Sequence, residues 1–154
     1  LDYGEKLNLP SYKKHKDHNI RLESAYLAVK VLLETNLYPA HKKELLSICI
    51  WKITEADGKY KTRFMSENAI NEFNQKNLQH EHVVERQFLV NELLNNPSDY
   101  KNTLSKALAC IVTKEEHKKL TFATKENKNL QGWKRYKFIG IKVFDLLEQI
   151  ELKV

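Results

Sequence analysis

The stretch that decides the fold is "LQHEHVVERQFLVNELL", residues 78–94. It sets His80, Glu81 and His82 directly before Val83 and Val84, then places Phe88, Leu89, Leu93 and Leu94 at helical spacing. β-Branched residues after a short polar start predict a strand over "HEHVV". Apolar residues three and four apart predict a helix over "ERQFLVNELLNN". In a regular strand His80 and His82 share one face and Glu81 takes the other. Two imidazoles and a carboxylate at such an edge suit a metal site, a proton-transfer site or a solvated strand start. The rest of the chain decides among these by what it brings near them.

Downstream, "CIVT" (110–113) is short, apolar and β-branched, the composition of a buried strand. Thr113 and Glu116 then have the spacing of a capping box, so a helix starts there with His117 in its first turn. "QGWKRYKFIG" (131–140) reads as a short amphipathic helix closed by Gly140, and "IKVFDL" (141–146) as a terminal strand. Between the two central strands, Pro97 breaks the chain and Ser98 is positioned to cap a helix through "YKNTLSKALA".

Upstream, "RLESAYLAVKVLLETN" (21–36) and "HKKELLSICIWKITEADG" (41–58) carry helical stripes, the second stopped at Gly58. The run "LLSICIWKI" is also compatible with a buried strand, and its periodicity tips it to helix. "KYKTRF" (59–64) reads as a short strand or extended connector, followed by Ser66 capping a helix over "ENAINEFNQ". Residues 1–12 form an irregular lead-in and "YKKHKDHNI" a solvated helix start.

Composition narrows the function classes. The chain has 154 residues, 42% hydrophobic and 30% charged, enough for one folded domain with a sizeable core. Lys and Arg number 26 against 20 Asp and Glu, a formal +6 that favours a polyanionic partner, chiefly nucleic acid or an anionic membrane surface. No apolar run reaches membrane-spanning length, which argues against an integral membrane protein, and the partner expected is nucleic acid, with no membrane. Cys49 and Cys110 each lie inside an apolar run and read as buried free thiols of a reducing cytoplasm. Two cysteines cannot build a four-cysteine zinc site. Four glycines leave no glycine-rich phosphate loop.

A strand bearing "EHVVER", a second strand "CIVT" and a helix bearing "EEHKKL" together resemble the HNH, or ββα-metal, nuclease superfamily, over about residues 78–121. The family's first strand reads as an acid, then His, then apolar residues, often Pro, and a basic residue. Its helix carries a His followed by basic residues. This chain departs from the pattern in having Glu81 for the usual Asp, Glu85 where Pro is frequent, and no ligand near Leu108 where the family's middle Asn or His would fall. With the helical stripes upstream and the length of one domain, the expectation is an α+β, mainly helical single domain over residues 1–154, its ββα-metal-like core implied by the resemblance. Residues 1–75 would be its mainly helical N-terminal part and 78–146 its HNH-like part.

The resemblance also implies a divalent-metal-dependent endonuclease, with DNA before RNA as substrate. His82 would be the general base, while Glu81, His117 and His80 would hold Mg2+ or Mn2+. Arg86, Lys118 and Lys119, with Arg63 further upstream, would contact phosphates. Each residue also has a structural reading: His82 as a half-buried strand histidine, His80 as a solvated neighbour, His117 as a polar first-turn residue. A non-catalytic nucleic-acid-binding or regulatory module with a degenerate core is the alternative.

Overall fold

The computed structural model describes residues 8–154; residues 1–7 of the irregular lead-in lie outside them. Two long helices open the fold, α1 (His18–Glu34) and α2 (Pro39–Thr54). Pro39 occupies the first turn of α2, where its missing N–H would have had no helical partner. The two pack against each other, and with α4 (Arg86–Asn95) and α5 (Tyr100–Ser105) they bury Val29, Leu46, Ile50, Leu89, Leu93 and Leu104 in one apolar cluster.

Five strands form a mixed sheet: β1 (Phe64–Ser66), β2 (Leu78–His82), β3 (Ala109–Thr113), β4 (Val143–Asp145) and β5 (Ile150–Leu152). Their spatial order is β2-β3-β1-β4-β5, with β1 and β3 parallel and every other pair antiparallel. A second apolar cluster joins Phe64, Cys110, Val112 and Val143 of the sheet to Leu120 of α6 (Lys114–Glu126) and Tyr136 of α7 (Trp133–Ile139). The fold is thus mainly helical α+β, as expected. Among the described residues no helix is long and apolar enough to cross a membrane.

The strand, strand, helix order is present. β2 lies antiparallel to β3 with Leu78 opposite Thr113, Glu81 opposite Cys110 and His82 opposite Ala109, and α6 starts at the residue after β3. Both halves of the expected capping box form there. Thr113 Oγ1 accepts from the Glu116 N–H at 3.2 Å, and Glu116 Oε2 accepts from the Thr113 N–H at 2.9 Å. β2 is an edge strand, so side chains on both of its faces can reach one opening at the edge of the sheet.

Several boundaries differ from expectation. β2 begins at Leu78 and ends at His82, leaving both valines outside it. The helix capped by Ser66 does form, but α3 (Glu67–Ile70) is a single turn. It yields to a 3-10 turn at Gln75–Asn77, where the Asn74 side chain accepts from the Lys76 N–H. "KYKTRF" contributes only Phe64 to a strand, and β5 was not anticipated. Pro97 breaks the chain as expected, although Asp99 rather than Ser98 stands at the N-cap of α5.

Candidate functional site

Glu81, in the middle of the candidate site, is buried, and both of its carboxylate oxygens have a partner. Strand alternation turns it to the Cys110 face of the sheet, toward α6 and α7. Oε2 meets Nδ1 of His117, which the capping box has fixed in the first turn of α6. Oε1 accepts from Arg135 Nη2 at 2.8 Å. Arg135 is fully buried, and its Nη2 also donates to the carbonyls of His82 and Val83. Its Nη1 donates to Thr124 Oγ1 at 3.2 Å. One guanidinium therefore ties α6, α7 and the end of β2 together. The Glu81 hydrogen bond raises the His117 pKa above the usual imidazole value. The His117 side chain keeps 39% of its surface, so the ring remains open to the cleft.

His80 and His82 face the other way, toward α2. Their Nε2 atoms stand 3.1 and 3.0 Å from the same atom, Thr54 Oγ1. That hydroxyl donates its single proton to the Trp51 carbonyl at 3.0 Å. Thr54 Oγ1 thus stands among three groups, the Trp51 carbonyl and the two ring Nε2 atoms. The Trp51 indole packs beside both rings, with centroids 5.1 Å from His80 and 4.9 Å from His82. Burial lowers the pKa of both histidines. For His82 the neighbouring His80, Arg86 and Arg135 add to the effect, and its pKa falls to about 3.

These two groups border one cleft, lined by Ser47, Trp51, His80, Glu81, His82 and His117 together with Arg86. The structure thus gathers the four chemistry-bearing residues expected from sequence at one opening, on two faces of the edge strand. Arg86 lies there too. Its guanidinium sits 4.8 Å from the Trp51 ring centroid and donates to Ser47 Oγ at 3.1 Å. No carboxylate pairs with Arg86 among the described residues.

The remaining basic residues are placed differently. Lys118 and Lys119 are exposed on α6, with Lys119 3.1 Å from Glu115 one turn back. They flank a separate apolar groove with Phe122 and Phe138. Arg63 is committed elsewhere: its guanidinium forks onto Asp145, with Nε–Oδ1 at 2.8 Å and Nη2–Oδ2 at 2.6 Å. It lines another cleft with Tyr12, His18 and Asp57. Cys49 and Cys110 are free thiols as expected, but only Cys110 is buried and Cys49 is half-buried.

Sequence reasoning missed Arg135, Thr54 and Trp51. Trp51 and Thr54 share one face of α2, three residues apart, a polar and an amphipathic side chain beside an apolar stripe. Arg135 interrupts the aromatic pattern of "GWKRYKF" next to Tyr136, which is also fully buried.

Whether a divalent cation suits these residues turns on the donors they offer. Among the described residues no three His, Cys, Asp or Glu side chains stand together as a metal cage. His80 and His82 spend their Nε2 atoms on Thr54. Glu81 and His117 remain, one carboxylate and one imidazole meeting beside the cleft. That pair fits a hard cation that keeps most of its waters and takes further ligands from a phosphate. It does not fit a tetrahedral zinc centre built from protein ligands.

Comparison with family models, curated proteins and solved structures finds no match to the chain.

Proposed function

We propose that this protein is an HNH-like endonuclease that hydrolyses phosphodiester bonds, DNA before RNA, in the cleft at the β2 edge. The observation that carries the reading is the meeting of Glu81 and His117. A strand acid and a first-turn helix imidazole converge across the strand, strand, helix unit, at the positions the sequence pattern singled out.

Glu81 and His117 would hold Mg2+ or Mn2+, and the bound cation would neutralise charge on the scissile phosphate. Without it His117 Nδ1–H donates to the Glu81 carboxylate, so a bound cation would have to displace that proton and its affinity would rise with pH through the His117 pKa. Arg135 keeps the Glu81 carboxylate aimed at His117. Arg86, held over Trp51 and without an acid partner, receives a substrate phosphate. His82 is the general base. It takes a proton from water as the water oxygen attacks phosphorus and the bond to the leaving oxygen breaks. Its low pKa in the free protein reflects burial first, with His80, Arg86 and Arg135 adding to the effect. His80, sealed behind it, is a neighbour of the base and not a ligand.

The test is plasmid nicking by purified protein across a panel of divalent ions. Nicking that needs Mg2+ or Mn2+ and is lost in both His117→Ala and His82→Ala is the expected result. Binding without cleavage under every ion would turn the reading to the non-catalytic nucleic-acid-binding alternative.

A further inference from the structure

We infer that Thr54 is a positioning residue for the reaction: its hydroxyl selects which ring nitrogen of His82 faces the substrate. The inference rests on His82 being the base, and it assigns a role to a helix outside the strand, strand, helix unit.

Hydrogen-bond capacity decides the tautomer. Thr54 sits at the last position of α2, and its hydroxyl donates back to the Trp51 carbonyl at 3.0 Å. That leaves only lone pairs for the two imidazoles, whose Nε2 atoms converge on it at 3.0 and 3.1 Å. Each ring is thereby held as the Nε2–H tautomer, and the basic lone pair falls on Nδ1. The two Nδ1 atoms then differ. His80 Nδ1 is sealed from solvent with no hydrogen-bond partner, whereas His82 Nδ1 is not among the sealed, unpartnered atoms. A single hydroxyl therefore sets the tautomer of both rings, and burial withholds His80 Nδ1. Trp51, whose carbonyl takes the Thr54 proton and whose indole packs on both rings, fixes the direction of the arrangement. The logic is that of a catalytic imidazole whose far nitrogen is held by a third group so that the near nitrogen can act.

The experiment combines side-chain 15N NMR of metal-free protein with steady-state cleavage by Thr54→Val and Thr54→Ser. In the wild type, the nitrogens of His80 and His82 should show protonated Nε2 and bare Nδ1. Thr54→Val, which keeps the side-chain shape, should release at least one ring into a mixture of tautomers. It should lower kcat on the order of tenfold to a hundredfold with KM little changed, short of the full loss of a general base. Thr54→Ser should restore both the spectrum and the rate. A wild-type spectrum with protonated Nδ1 on His82 would overturn the inference. So would a Thr54→Val protein with unaltered tautomers or undiminished kcat. The two claims fail separately: wild-type protein that cleaves nothing yet shows both Nε2–H tautomers, disturbed in Thr54→Val, loses the nuclease reading and keeps the tautomer assignment.

Discussion

Glu81 and His117 are in direct hydrogen-bond contact although 36 residues separate them, and the contact spans an edge strand and the first turn of a helix. Everything that fixes their approach is local or buried: the capping box at Thr113 and Glu116, and the Arg135 guanidinium behind the carboxylate.

Removing Arg135 therefore costs stability. Arg135→Met strands a buried Glu81 carboxylate and two carbonyls, and should destabilise the fold by about 3–5 kcal/mol. Adding Glu81→Gln should recover part of the loss, because the uncompensated charge is gone. Thermal or urea unfolding of the two single variants and the double variant checks this. Strictly additive losses would contradict the account.

The Arg63–Asp145 pair gives a pH signature away from the site. The Arg63 hydrogen bonds hold the Asp145 carboxyl below its usual pKa. A carboxyl lowered in the folded state contributes stability that is complete above the unfolded value, near 3.9, and is lost as pH falls through the lower folded value. Arg63→Ala should destabilise the protein at neutral pH and flatten that acid limb. DNA affinity should change little, because Arg63 is engaged with Asp145 and lines another cleft. A large drop in affinity at unchanged stability would return Arg63 to the phosphate-binding set.

Much of this site was legible in the sequence because its parts are encoded by neighbours. The Thr113-to-Glu116 spacing located the start of α6 and so the position of His117, and period-two alternation put His80 and His82 on one face with Glu81 on the other. The partners of those side chains were not legible. Thr54 and Arg135 reach the strand from helices 28 and 54 residues away, and no local periodicity encodes which residues of one helix meet a given strand. The Ser66 cap before "ENAINEFNQ" predicts a longer helix than the single turn that α3 forms. Its Asn-rich continuation bonds to nearby backbone and turns the chain into β2 instead.

Charge reversal separates the cleft from the general surface. Lys118→Glu with Lys119→Glu should weaken DNA binding about equally for all sequences and reduce the salt slope by about two. Arg86→Ala should cost roughly one unit of slope and also slow cleavage, since Arg86 borders the cleft and the two lysines do not. Fluorescence anisotropy across a salt series measures both. Binding that does not respond to salt would rule out a phosphate-gripping role for any of the three.

The central claim is that Glu81 and His117 form one cation-binding unit. Titration of Mn2+ into wild type, His117→Ala and His82→Ala by calorimetry, across a pH series, tests it most directly. The account predicts that wild-type affinity rises with pH as the His117 proton is displaced, that His117→Ala binds far more weakly, and that His82→Ala keeps near-wild-type affinity. Wild-type affinity in His117→Ala, with affinity lost in His82→Ala, would contradict it.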